Sequence, residues 1–325
     1  MSLVDFVPYW VSFDSGSPQV KWCYAGSRRF TDGFFDDTIT AMLRHPFAST
    51  FPWTTPIEAL ADMEPGLRPS GFVFHMSRCG STLISRLLAT SPRVLVMSEP
   101  GPLDAVIRGG DAQIPRSQRA EWIRWMVRAL GRPRHGESHY VIKLDCWHML
   151  DWDLLQEAFP DTPWIFVYRD PLEVLASIER RPSYWSLPGV LDATRFGLTD
   201  AEARGLIGPR YVGTVLDAIL AKAEECAAPG ALVNYTELPG AVWQSIAARF
   251  GIVLNEEERS RMQAESTQDS KNPVLGFTED SASKRERVSE LARAVCGEAL
   301  QKRHDNLEAL RGRQARPPTS RENPS

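Results

Sequence analysis

Five short apolar runs constrain the fold of this 325-residue chain more than any other feature. They are GFVFHM (71–76), VLVMSE (94–99), YVIKLD (140–145), WIFVYRD (164–170) and ALVNYTEL (231–238). Each has the length of a strand and is apolar without strict alternation, as strands covered on both faces are. Between them lie stretches of helical period, with Trp122, Trp125, Met126 and Leu130 in one and Val212, Val215, Leu216, Ile219 and Leu220 in another. Strands and helices in alternation predict an α/β chain, its central sheet doubly wound, mostly parallel and flanked by helices. A further helix or helix pair is expected over 281–312, where Val288, Leu291, Val295, Leu307 and Leu310 take the periodic positions.

The first 70 residues have another texture. Tyr9, Trp10, Trp22, Tyr24, Phe30, Phe34, Phe35, Phe47, Phe51 and Trp53 stand among many Gly, Pro, Ser and Asp. Disordered chain avoids aromatics, so an irregular but packed extension is expected over 1–70. The α/β domain follows over 71–312, and RGRQARPPTSRENPS, polar and Pro-rich, leads into a disordered tail over 313–325. A formal charge of −4 and a pI near 5.9 argue against nonspecific nucleic-acid binding, which needs a strongly basic face. No apolar run approaches the roughly 18 residues of a membrane span. MSLVDFVPYW lacks the basic and apolar regions of a signal peptide. Cys23, Cys79, Cys146, Cys226 and Cys296 are scattered, without a CxxC pair. Neither a zinc site nor a disulfide framework is expected, and a cytoplasmic setting is.

The segment with most chemistry is HMSRCGST, 75–82, between the first apolar run and a helical pattern. Against the Walker template G-x-x-x-x-G-K-[ST], Gly80 and Thr82 fit, His75 replaces the first Gly, and Ser81 replaces the Lys. The backbone N–H groups of Arg78, Cys79, Gly80, Ser81 and Thr82, at a helix N-terminus, can form an anion nest. Arg78 adds a permanent charge on a planar fork suited to phosphate or sulfate oxygens. Ser81 and Thr82 add hydroxyl donors, and Cys79 serves as a small filler whose N–H matters. The lysine that reaches the β- and γ-phosphates of a triphosphate is missing.

SRCGSTLISRLL resembles the 5′-phosphosulfate loop of sulfotransferases that use 3′-phosphoadenosine 5′-phosphosulfate (PAPS), in many of which the pattern is [PS]-R-x-G-[ST]-[ST]-L. A second stretch, VYRDPLEVLASIERR, is similar to the 3′-phosphate motif of that family, with Arg169 ending a strand and Ser177 on the following helix. The local residues agree: Asp170 can cap that helix, Pro171 suits its first position, and Glu173 completes a capping box. LVNYTEL (232–238) is similar to the family's R-Y-E-D-L strand, with Asn234 in place of the Arg. SKNPVLGF (270–277) falls where relatives close a loop over the nucleotide, which would bring Lys271 to a phosphate. The resemblance spans about residues 71–280. It implies a P-loop type three-layer fold, PAPS as co-substrate, adenosine 3′,5′-bisphosphate as product, and no metal. The sulfuryl group would pass to a hydroxyl or amine of a small-molecule or peptide acceptor.

Sulfuryl transfer, like phosphoryl transfer, runs in line and is catalysed by positioning and charge. Lys143 looks like the lysine that some relatives aim at the transferred group. An acceptor hydroxyl needs a base. Glu99 stands where protein-tyrosine and some heparan sulfotransferases carry a catalytic Glu, and the resemblance makes it the base. Asp145 stands where cytosolic relatives carry a catalytic His, and is expected to orient; His148 is expected to pack or cap. One rival reading is a P-loop kinase or nucleotide hydrolase using ATP and Mg, with Asp145 and Thr82 on the metal; the absent loop lysine counts against it. A binding module without turnover is the other. A peptide tyrosine, a carbohydrate, a lipid and an amine all remain open as acceptors.

Overall fold

The computed structural model describes residues 5–13, 17–50, 52–109, 114–267 and 288–314. Lys271 with the rest of SKNPVLGF, and 281–287 of the expected C-terminal helix, lie outside the described residues.

In chain order the strands are β1 (Phe6–Ser12), β2 (Gln19–Tyr24), β3 (Trp53–Pro56), β4 (Gly71–His75), β5 (Val94–Ser98), β6 (His139–Lys143), β7 (Trp164–Tyr168) and β8 (Leu232–Asn234). The helices are α1 (Phe35–Leu43), α2 (Pro46–Thr50), α3 (Ser81–Ala89), α4 (Gly101–Arg108), α5 (Arg116–Leu130), α6 (Trp152–Ala158), α7 (Pro171–Arg180), α8 (Asp200–Gly205), α9 (Pro209–Cys226), α10 (Ala247–Arg249), α11 (Glu256–Ser266), α12 (Glu290–Val295) and α13 (Gln301–Gln314). All five apolar runs become strands of one sheet, in the order β5-β6-β4-β7-β8. The fold is α/β, as the alternation predicts. β8 is short because Tyr235–Glu237 turns into a 3-10 helix where continued strand was expected.

Two compact units share the chain, one made of 1–75, 80–164 and 237–279, the other of 76–79, 165–236 and 280–325. In the first, β6 pairs in parallel with β5, from Val94↔His139 to Ser98↔Lys143, and with β4, from Gly71↔Val141 to Val73↔Lys143. Every residue of β4 and β5 is buried, Phe72, Val73, Phe74 and Met97 completely. Each such side chain contributes roughly 1.5–3 kcal/mol. α3 packs on β4 and β5, and α11 packs on α3. The N-terminal segment is more regular than its composition suggests: β1, β2 and β3 form an antiparallel sheet, and β1 packs on α4 and α5. Phe6, Val7, Pro8, Val11, Val20, Trp22 and Cys23 are its buried residues, and a register shift between Pro8 and Trp10 breaks the alternation that would reveal β1.

In the second unit β7 and β8 pair in parallel, from Phe166↔Leu232 to Tyr168↔Asn234. α9 packs on α7, α12 and α13, burying the five periodic residues Val212, Val215, Leu216, Ile219 and Leu220. The C-terminal stretch runs from Glu290 through one π turn at Cys296–Leu300 to Gln314, so Arg313 and Gln314 are helical rather than part of a tail. Arg303 fastens it to α9 through Asp217 (2.8 Å) and Glu224 (3.3 Å). Among the described residues no helix is long and apolar enough to cross a membrane.

Candidate active site

Where β4 ends the backbone turns sharply. Ser77 (φ 71°) and Arg78 (φ 52°) are left-handed, and Gly80 (φ 88°) is the N-cap of α3. Gly accepts that conformation freely, whereas a Ser or Arg there costs of order 1–3 kcal/mol. Left-handed residues on both sides of Cys79 give the alternation that turns successive N–H groups toward one point. The first N–H groups of α3 face the same end of the helix, where its dipole favours an anion. Ser81 and Thr82 are buried at that end. Cys79 is completely buried with Sγ 3.1 Å from the carbonyl oxygen of Val167, which suits a filler. Arg78 Nη2 donates to the carbonyl oxygen of Arg181, the C-cap of α7, at 2.6 Å.

The second motif lies in the second unit. Arg169 follows β7 directly, and Asp170 caps α7 by accepting from the Glu173 backbone N–H at 3.1 Å, with Pro171 at the first helical position. The Glu173 side chain, expected back on the cap, instead takes Arg169 through Nε (2.7 Å) and Nη2. A charge-assisted two-point contact to a buried cation outweighs a single bond to a backbone N–H. The Tyr235 ring lies 3.9 Å from the guanidinium carbon. Arg169 is therefore held at its edge and across its face, and Ser177 stands further along α7, partly buried. Asn234, which replaces the family's Arg, donates to Glu308 at 2.8 Å and accepts from Thr236. Because Arg169 and Glu173 are both buried, Glu173→Ala removes a charge-assisted contact from Arg169 and is expected to cost about 1.5–3 kcal/mol. Urea unfolding measures it, and Glu173→Gln, which keeps one acceptor, should lose less.

In the first unit three side chains meet at the carboxyl ends of β4, β5 and β6. Lys143, the last residue of β6, is completely buried, and its ammonium donates to Glu99 Oε1. His75, the last residue of β4, holds Nε2 3.3 Å from the same oxygen. Glu99 follows β5 in a left-handed conformation (φ 53°), fixed by its N–H donating to the Lys143 carbonyl oxygen at 2.7 Å. Burial pushes the Glu99 carboxyl up, but the Lys143 charge and the His75 contact outweigh it and hold it at about 2. Burial and the Lys143 charge keep His75 neutral, below the ordinary imidazole range. Glu99 is thus a carboxylate at neutral pH.

Asp145 is buried, and burial with the nearby charge of Glu99 pushes it up to about 8. His148 Nδ1 accepts from the Asp145 backbone N–H at 3.2 Å, so Nε2 carries the proton and donates to Asp104 Oδ1 at 2.9 Å. Trp147 Nε1 donates to the same oxygen at 2.8 Å. Asp104, Asp145 and His148 place one possible metal-ligand atom each within 4.8 Å of one another. Both nitrogens of His148 are already engaged, so the group reads as a hydrogen-bonded support rather than a ligand set. His148 packs and caps, as expected.

Of the sequence candidates, the structure gathers Glu99, Lys143 and Asp145 in the first unit and Arg169 and Ser177 in the second, while Arg78 and Cys79 of the loop belong to the second unit and Gly80, Ser81 and Thr82 to the first. It adds His75, Asp104, Trp147 and Tyr235, none of which had been assigned a site role. His75 carried a signal, since a polar residue ending a buried strand lies at the edge where open α/β sheets bind ligands.

The chain resembles sulfotransferases of known structure. The sulfotransferase STF9 from Mycobacterium avium is 17% identical with a TM-score of 0.46, over 82% of this chain and 83% of that one. The sulfotransferase domain of the Synechococcus PCC 7002 olefin synthase is 16% identical with a TM-score of 0.43, over 78% and 97%. The sulfotransferase STF1 from Mycobacterium tuberculosis H37Rv is 15% identical with a TM-score of 0.39, over 79% and 82%. No protein-family model and no curated protein matches the chain. At these scores the likeness carries no chemistry, and the functional reading rests on the residues themselves.

Proposed function

We propose that the protein is a sulfotransferase that moves the sulfuryl group of PAPS to a hydroxyl or amine, with adenosine 3′,5′-bisphosphate as product. The observation that supports this is the Lys143–Glu99 pair, touched by His75 at the start of a phosphate-type loop that has no lysine of its own. In-line sulfuryl transfer asks for a cation on the bridging oxygen and a carboxylate on the acceptor hydroxyl. Lys143 supplies the first and Glu99 the second. When Lys143 engages the leaving oxygen, its hold on Glu99 relaxes and the carboxylate becomes a better proton acceptor.

The loop residues Arg78, Cys79, Gly80, Ser81 and Thr82 take the 5′-phosphosulfate, Arg78 through its fork and the others through N–H and hydroxyl donors. Arg169 and Ser177 take the 3′-phosphate. Asp145, protonated in the resting state, donates rather than accepts and orients the reacting groups.

The test is calorimetry with adenosine 3′,5′-bisphosphate and with ATP, each with and without magnesium. Charge-assisted contacts of about 1.5–3 kcal/mol to the 3′-phosphate predict at least roughly tenfold tighter binding of the bisphosphate, independent of magnesium. Tighter, magnesium-dependent ATP binding would establish the kinase or hydrolase reading instead.

A further inference from the structure

The N-terminal segment, which lies outside the resemblance, breaks a local rule beside the active site. The N-cap of α1 is Phe34, in extended conformation (φ −136°, ψ 148°), with no side-chain hydrogen bond to the helix. Ser, Thr, Asp or Asn normally fills such a position, because the first helical N–H groups need an acceptor. Phe34 is also 36% exposed, unlike Phe35, which is buried. Its ring centroid is 4.8 Å from Lys143 Nζ, within the range where a ring face attracts an ammonium. Residues that violate local preference mark functional positions more often than they mark accidents.

Two neighbours show that the whole turn is seated here. A Cβ at Gly33 would stand 3.4 Å from Thr82 Cγ2, in ordinary contact with the start of α3. A Cβ at Gly101 would stand 3.8 Å from Asp36 Oδ1, at the start of α4. Burial, with the charges of Asp37 and Glu99, pushes the Asp36 carboxyl up, as expected for a group close to the Glu99 carboxylate.

We infer that Phe34 is a positioning residue for Lys143, its ring face giving the buried ammonium a second, uncharged partner besides Glu99. The role matters at one moment. When Lys143 leaves Glu99 for the bridging oxygen, the ring still stabilises the cation without competing for its protons. A second carboxylate in that place would hold the ammonium back. This assignment rests on the sulfotransferase reading for its catalytic meaning, while the contact itself can be tested without nucleotide.

The experiment is competitive labelling of the full-length protein with acetic anhydride, reading acetylation of the Lys143 peptide by mass spectrometry. Only the neutral amine reacts, so the rate reports how firmly the ammonium is held. Phe34→Leu keeps an apolar cover and removes the ring, and is expected to raise labelling about tenfold. Phe34→Tyr and Phe34→Trp should stay within about twofold of the unsubstituted protein. Melting temperature and calorimetric affinity for adenosine 3′,5′-bisphosphate should be alike in all four. Equal labelling of Phe34→Leu and the unsubstituted protein overturns the inference, as does equal labelling of the Leu and aromatic variants. Absence of bisphosphate binding in the unsubstituted protein would instead overturn the sulfotransferase reading and leave the labelling result standing.

Discussion

Glu99→Gln is expected to bind adenosine 3′,5′-bisphosphate normally and to lose on the order of 10²–10⁴-fold in turnover, the usual contribution of a general base. Gln keeps the length and one oxygen for Lys143 but cannot take a proton. The competing carboxylate is Asp145, and the two environments make the roles separable. Glu99 is held at about 2 and is ionised across the working range, whereas Asp145 is pushed up to about 8 and is largely protonated at neutral pH. A base must be ionised to act. If Asp145 were the base, turnover would rise with pH toward 8 and level off above it, and Asp145→Asn would be the inactive variant. If Glu99 is the base, Asp145→Asn keeps a donor in place and costs less than Glu99→Gln. Turnover of both variants between pH 6 and 9, with bisphosphate affinity measured alongside, decides the assignment.

Lys143→Met is expected to abolish most turnover and to lower stability by about 1.5–3 kcal/mol at neutral pH, because a half-buried carboxylate loses its cation. The loss should depend on pH in a specific direction. In the unsubstituted protein the Glu99 carboxyl lies below its ordinary 4.5, so the pair adds stability that is fully present above that pH and fades as pH falls toward 2. In the variant, burial acts with less opposition and moves the same carboxyl upward. A raised carboxyl subtracts stability as pH climbs past its unfolded value. His75, relieved of the Lys143 charge, can take a proton and offset part of this below its own range. The variant should therefore fall furthest behind the unsubstituted protein at pH 7, less far behind near pH 4, and draw level only as pH approaches 2. Urea unfolding at pH 7 and pH 4 measures the gap, and an equal gap at the two would show that the Lys143–Glu99 pair does not govern the site.

What could be read from the sequence was local. A strand buried on both faces is continuous and apolar, so β4 to β8 stand in the text of the chain, and R-D-P spells the start of α7 through two adjacent residues. The loop between β4 and α3 could be placed from Gly80 and the Walker-like spacing, but not its left-handed backbone at Ser77 and Arg78. What could not be read was long-range or quiet. Glu99 and Lys143 are 44 positions apart, and periodicity says nothing about which strand lies beside which. Glu173 was expected on a backbone N–H three residues back, and the structure gives it to Arg169, because a buried cation next to a helix start claims the nearest carboxylate. β1 and β2 escaped because a register shift at Pro8 and Trp10 disrupts the period of two. Phe34 looked like one aromatic among the twelve of the first 70 residues, and only its place over Lys143 sets it apart.

The Glu99–Lys143 contact is made twice, once by side chains and once by the backbone N–H of Glu99 on the Lys143 carbonyl. The two bonds close a ring through Glu99 and Lys143 alone, set directly on the paired ends of β5 and β6 at Ser98↔Lys143. Carboxylate and cation are thus not two ornaments set on a scaffold but one covalent-and-hydrogen-bonded loop, as stiff as the sheet from which it is cut. Anyone wishing to transplant this chemistry into another protein would have to carry over two neighbouring strand ends in register, left-handed kink included, and could not do it by grafting a glutamate and a lysine.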